Sequence, residues 1–216
     1  MSPHGPAPLD RPSVSYLRRL CEGEPIRRIP GRNSSKADLL FYQDGGLRVA
    51  VKSYAPRPFW VRHLVGRWLI RRETTAYRTA DGADGIPDFY GRLGPYALAT
   101  RWVDARALPA FRGQLLEDAV FDRVAGILEE LHARGVAVAD LHHRDVLLAE
   151  DGSVFMVDLA MAFLLGERPG RLRRAVFRRL RDQDNIALAR MRARWTGGDI
   201  AEAVAAIGGS AAAWHT

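Results

Sequence analysis

Val138-Ala139-Asp140-Leu141-His142-His143-Arg144-Asp145-Val146-Leu147-Leu148-Ala149-Glu150-Asp151-Gly152-Ser153-Val154-Phe155-Met156-Val157-Asp158-Leu159-Ala160 is the stretch that decides the fold. Three aspartates space it: Asp145 lies five residues after Asp140, and Asp158 eighteen after it. The apolar runs Val146–Leu148 and Val154–Val157 flank the turn Glu150-Asp151-Gly152-Ser153. The pattern predicts a loop bearing two acids, a tight hairpin, and a third acid at the end of a short strand. Such a set can hold a divalent cation on oxygen ligands and leave one carboxylate to act as a base. Surface hairpins also carry acids for solubility alone, so the spacing has to be weighed with the rest of the chain.

Upstream, Val49-Ala50-Val51-Lys52 is an apolar strand ending in lysine. The chain has 32 lysines and arginines, and Lys36 and Lys52 are its only lysines. A lysine at a buried strand end is a compact point charge suited to phosphate oxygens. Glu73, in Arg71-Arg72-Glu73-Thr74-Thr75-Ala76-Tyr77-Arg78, falls on a helical pattern where it could pair with Lys52 and aim it. Alone, it would read as an ordinary surface glutamate.

Together these residues resemble the protein-kinase-like superfamily, with its strand lysine, helix glutamate, catalytic-loop aspartate and two metal-binding positions. The finer likeness is to the small bacterial branch of lipopolysaccharide core (Kdo/heptose) kinases and RIO-like serine/threonine kinases. It runs from about residue 28 to 195 and includes the segment from Gly66 to Leu108. The resemblance implies an α+β, two-lobed fold: a five-stranded antiparallel sheet with a helix at residues 26–104, and a reduced, mainly helical lobe at 105–216. Residues 1–25 form an N-terminal extension with a short helix.

By the same resemblance the activity is ATP-dependent transfer of the γ-phosphate to a hydroxyl of a protein serine or threonine, or of a lipid-linked sugar. ATP and Mg²⁺ are the implied cofactors. Asp140, Lys52 and Glu73 are the catalytic positions, and Asp145 and Asp158 the metal ligands. Gly31, Asn33, Ser34, Ser35 and Lys52 would contact phosphates, while Arg101 and Val103 would meet adenine.

The chain departs from the family's pattern in several places. Val138-Ala139-Asp140 stands for His-Arg-Asp, Asp145 for asparagine, and Asp158-Leu159-Ala160 for Asp-Phe-Gly. Gly31-Arg32-Asn33-Ser34-Ser35-Lys36 replaces a glycine-rich loop, and no Ala-Pro-Glu follows Asp158. These changes keep alive an alternative, a pseudokinase that binds nucleotide or serves as a scaffold. His142 and His143 lie in the acid loop without an assigned role. Asp184 could brace that loop or cap a helix.

Composition bounds the rest. Hydrophobic residues make up 47%, enough for a core. One cysteine, Cys21, excludes an internal disulfide and fits a reducing, cytoplasmic setting. The proline-rich first residues lack the apolar core of a signal peptide and are expected to fray. The net charge is +7. The arginines concentrate at residues 62–72, interleaved with Trp60 and Trp68, and at residues 168–181. The first cluster reads either as an interfacial helix meeting anionic membrane or as a helix with one core face. The second reads as an acidic-ligand contact or a solvated face, and no specific nucleic-acid module is visible.

Periodicity predicts strands at residues 26–29, 38–43, 47–53, 89–93 and 96–102. Helices are predicted at 13–22, 60–79, 115–134 and 201–207. A further helix at 172–195 would break near Asp182, and 103–108 would be a linker.

Overall fold

The computed structural model describes residues 11–33 and 35–213, with side chains to residue 207. The predicted fraying of the first residues and the assignment to Ser34 lie outside that range. The fold is mixed α and β, with one five-stranded antiparallel sheet and five α-helices among the described residues. The chain divides into two compact units: residues 1–74 with 88–102, and residues 75–87 with 103–216.

The first unit opens with α1 (Val14–Leu20), capped by the Ser13 hydroxyl, which accepts from the Tyr16 N–H at 3.2 Å. Strands β1 (Arg27–Ile29), β2 (Asp38–Asp44) and β3 (Leu47–Ser53) follow. Asp44-Gly45-Gly46 turns β2 into β3, and Gly45 takes the positive φ such a turn needs. One π-helical turn (Val61–Gly66) leads into α2 (Arg67–Thr79), and β4 (Phe89–Arg92) and β5 (Ala97–Arg101) complete the sheet in the order β1-β2-β3-β5-β4. Alternation along β3 puts Val49 and Val51 on the core face, where Leu17, Tyr42, Tyr90 and Ala99 close around them. Ala50 and Lys52 take the opposite face.

In the second unit, β6 (Ala105–Ala107) occupies the segment expected as a linker. It pairs antiparallel with β8 (Val146–Ala149), which pairs with β9 (Val154–Met156). Three residues carry too little alternation for a strand to be read from sequence, and β6 exists because β8 offers it an edge. Between them lie a 3₁₀ turn (Leu108–Phe111), α3 (Asp118–Ala133) and β7 (Val136–Ala137), which pairs with β10 (Phe163–Leu164). α3 buries Val120, Phe121, Val124, Ile127, Leu128 and Leu131. Leu116, inside the helix expected at 115–134, precedes α3, and its N–H bonds to the Trp195 carbonyl at 2.8 Å.

α4 (Arg171–Thr196) runs unbroken through Asp182, contrary to the expected break, and α5 (Ile200–Ala213) follows a left-handed Gly197 cap. Gly85 shows what its position demands: φ is +70°, a Cβ would lie 3.0 Å from the Val154 carbonyl oxygen, and its own carbonyl accepts from Met156 at 2.8 Å.

Candidate functional site

Lys52 and Glu73 meet. The lysine Nζ lies 3.0 Å from Oε1 and 2.9 Å from Oε2 of the glutamate. Glu73 is 1% exposed and the Lys52 side chain 13%. The half-turn between sheet faces sends Lys52 away from the Val49–Val51 core, and α2 presents Glu73 to it. The pair fixes a cation at a sheet surface while one edge of it stays accessible. Desolvation on this scale is costly unless the charges are matched, so each residue holds the other in place.

The loop Gly31–Lys36 joins β1 to β2 and is anchored by Asp38, which is fully buried. Asp38 Oδ2 accepts from Arg28 Nε at 3.0 Å and Nη2 at 2.6 Å. Asp38 Oδ1 accepts from the Gly31 N–H at 2.9 Å and pairs with Arg57. A Cβ on Gly31 would lie 2.7 Å from the Ala37 carbonyl oxygen, so the chain doubles back there only with glycine. Asn33 Oδ1 accepts from the Ser35 N–H at 3.1 Å and from its hydroxyl at 2.8 Å, and the Lys36 N–H bonds to the Asn33 carbonyl at 3.2 Å. The amides of Ser35 and Lys36 are thus spent inside the loop, and that of Gly31 on Asp38. The sequence had suggested none of this Asp38-centred anchoring, because Arg28 and Arg57 are remote from it along the chain.

At the end of β5, the Arg101 N–H bonds to the Asp88 carbonyl at 2.8 Å, and the Trp102 N–H to the Arg48 carbonyl at 3.1 Å. Val103 is buried.

In the second unit, Asp140 and Asp158 are exposed and Asp145 is half-buried. The Asp145 N–H closes a turn on the His142 carbonyl at 2.9 Å. The Asp145 carbonyl accepts from the Val157 N–H at 2.8 Å, which ties the loop to the residue before Asp158. Ala139 and Asp158 have φ of +67° and +66°, the two non-glycine positive values among the described residues. One immediately precedes the candidate base and the other is a candidate metal ligand. Strained backbone of this kind persists only where its surroundings hold it.

What holds Ala139 is Asp184. Its Oδ1 accepts from the Ala139 N–H at 2.8 Å, and its Oδ2 from the Val138 N–H at 2.8 Å and from His132 Nε2 at 2.9 Å. Asp184 sits mid-helix and is 1% exposed, so it braces the acid loop and caps nothing. His132, on α3, is a member of this network that sequence reasoning missed; facing a carboxylate, its Nε2 carries the proton.

Among the described residues no three His, Cys, Asp or Glu side chains gather as a metal cage. Two carboxylates are the most that Asp145 and Asp158 offer. That donor set suits Mg²⁺, which keeps several waters and takes phosphate oxygens, better than a cation needing an all-protein shell.

The first arginine cluster differs from a simple solvated face, whereas the arginines of the second are exposed. Phe59, Trp60, Leu64, Val65 and Trp68 are 57%, 71%, 65%, 40% and 53% exposed, so these apolar members of the first cluster face outward while Ile70 is buried. In the second, Arg173 binds the carbonyls of Leu164 and Leu165 and lies over the Phe163 ring, fastening α4 to β10.

No protein-family model matches this chain, and no curated protein matches it. No helix among the described residues is long and apolar enough to cross a membrane.

Proposed function

We propose that the chain is an ATP-dependent phosphotransferase built on a minimal, two-lobed kinase-like plan. The observation that carries this reading is the buried Lys52–Glu73 pair, a strand lysine held by a helix glutamate. The Asp184 brace on the strained loop before Asp140 supports it independently.

Lys52 neutralises charge on the α and β phosphates of ATP. Asp145 and Asp158 supply two carboxylates to Mg²⁺, which when bound spreads the charge of the transferring group. The Asn33 carboxamide NH₂, with the Arg32 and Asn33 N–H groups, is what the described part of the Gly31–Lys36 loop offers to phosphate. Backbone groups near Arg101 and Val103 receive adenine. Asp140 orients the acceptor hydroxyl and takes its proton. The acceptor oxygen bonds to the γ-phosphorus as the bond to the bridging oxygen breaks, and ADP leaves with that electron pair. Most of the rate gain comes from positioning and charge neutralisation.

The acceptor is a protein serine or threonine or a lipid-linked sugar. The outward stripe of Trp60, Leu64 and Trp68 at four-residue spacing supports work at a membrane surface. No acid lies between Gly45 and Arg72, so the complementary surface is anionic lipid.

The second reading, a nucleotide-binding module without transfer, is favoured by the Val138-Ala139-Asp140 and Asp158-Leu159-Ala160 departures. Incubation with γ-labelled ATP and a cell extract split into protein, lipid and carbohydrate fractions separates the two. Transfer into one fraction by the wild type, lost in Asp140→Ala while Mg-ATP still raises the melting temperature, is the expected result. Binding without transfer selects the second reading, and no response to Mg-ATP removes both.

A further inference from the structure

The loop bearing Asp140 and Asp145 also forms one wall of a cavity that the assignments above leave unused. It measures about 540 Å³ and lies within the second unit. Its lining includes Arg112, Leu115, His143, Arg144, Arg194 and Trp195. His143 and Arg144 follow Asp140 by three and four residues, so the candidate base and this wall share one loop.

The chemistry of the lining is one-sided. Arg112, Arg144 and Arg194 line the cavity, and no aspartate or glutamate does so among the described residues. Arg112, Arg144 and Arg194 make no ion pair among the described residues. Like charges gathered without a counter-charge raise the free energy of the empty site, and an anion relieves it. Guanidinium forks match phosphate and carboxylate oxygens in pairs. Leu115 and Trp195 give the cavity an apolar side, and the His143 ring lies 5.4 Å from that of Trp195.

The backbone beneath part of the lining is tied down, while the Arg112, Leu115, Arg144 and Arg194 side chains are exposed. The Leu116 N–H is bonded to the Trp195 carbonyl at 2.8 Å, and Arg192 pairs with Asp118 at 2.7 Å and Asp122 at 2.9 Å, tying the end of α4 to the start of α3. The volume is that of a small-molecule site.

We infer that this cavity holds the phosphate or carboxylate group of a small, hydroxyl-bearing acceptor. The inference rests on the phosphotransferase reading for the word acceptor, while the anion site stands on its own lining. It favours the sugar class over the protein one, and within it a sugar already carrying charge beside the hydroxyl to be phosphorylated.

The test is calorimetric titration of the full chain without ATP, using glucose 6-phosphate, glucuronate, glucose and a phosphoserine peptide as probes. At least one charged sugar binds well ahead of glucose. Each of Arg112→Gln, Arg144→Gln and Arg194→Gln weakens it by about tenfold, as loss of a charge-assisted hydrogen bond does. The triple variant loses it. Leu115→Trp, which fills the cavity without removing charge at an exposed position, also weakens it. Equal affinity for glucose, unchanged affinity in the triple variant, or binding of the peptide alone overturns the proposal. The melting shift with Mg-ATP, read on the same samples, distinguishes the two failures. A shift without sugar binding sinks this inference alone. Arginine-dependent sugar binding without a shift sinks the phosphotransferase reading and, with it, the acceptor role.

Discussion

Asp184 accepts the backbone N–H of Ala139 at 2.8 Å across a separation of 45 residues, and so holds a left-handed alanine directly before Asp140. The same carboxylate takes the Val138 N–H and His132 Nε2. Asp184→Asn is expected to turn an amide NH₂ toward one of these donors and to leave a buried N–H unpaired. The cost should be about 2–4 kcal/mol, given about 1–3 kcal/mol per buried unsatisfied group and more where charge is lost. Urea unfolding measures it; a change below about 0.5 kcal/mol would show that the brace is not holding the loop.

Lys52 and Glu73 allow a cycle that separates stability from nucleotide binding. Lys52→Met removes the lysine that pairs with a 1%-exposed glutamate. Breaking a buried pair in this way costs about 3–5 kcal/mol, whereas replacing both partners with apolar groups is often close to neutral. Lys52→Met with Glu73→Leu should therefore recover most of the stability lost by Lys52→Met, and neither variant should respond to Mg-ATP. A double variant as unstable as the single one contradicts the pair; a normal melting shift in the double variant contradicts the role of Lys52.

Much of this pairing was legible in the sequence, because Lys52 ends an apolar alternation and Glu73 sits on a helical one. The hairpin around Gly152 was legible for the same reason, being turn chemistry between two apolar runs. β6, β7 and β10 were not, since strands of two or three residues take their conformation from a neighbour's edge. The unbroken α4 was obscured by Asp182, Asp184 and Asn185, weak helix formers whose cost is offset by what Asp184 binds. Asp38 was invisible because its partners are long-range. The sequence showed arginines interleaved with Trp60 and Trp68 but could not say whether the tryptophans faced a core or water.

The two left-handed residues should answer differently to glycine. Left-handed backbone costs a non-glycine residue roughly 1–2 kcal/mol. Ala139→Gly should therefore stabilise the fold by about 1 kcal/mol, net of the entropy that glycine loses. Asp158→Gly should keep the fold and lose Mg²⁺-dependent ATP binding, since it removes a carboxylate at a position whose backbone glycine accepts. Thermal melts with and without Mg-ATP read both effects. Full Mg²⁺ dependence in Asp158→Gly would rule out that carboxylate as a ligand.

Cys21 should be chemically quiet. Burial pushes its thiol up to about 11, because desolvation penalises the thiolate. The thiolate is the nucleophile, so at pH 8 only about one molecule in a thousand is reactive. Alkylation by iodoacetamide should run roughly a hundredfold slower in the folded chain than in urea, and should accelerate as pH rises toward 11. Equal rates in the two states would mean that the thiol is not shielded by the residues around α1.

The outward stripe of the π-helical turn and α2 makes the last expectation. Trp60 and Leu64 are 71% and 65% exposed, and arginines at 62, 67, 71 and 72 surround them. Fully burying one such apolar side chain is worth about 1.5–3 kcal/mol, and each basic residue near an anionic surface adds about 1 kcal/mol. The two terms predict different responses, so vesicles can separate them. Sedimentation with vesicles containing phosphatidylserine should exceed that with phosphatidylcholine alone and should fall as salt rises. Trp60→Ser with Trp68→Ser should weaken binding to both kinds of vesicle by a similar factor, because it removes insertion and leaves the charge. Arg67→Gln should weaken binding to the anionic vesicles only. A chain that binds neither vesicle, or whose binding is indifferent to the tryptophans, does not use this stripe on a membrane.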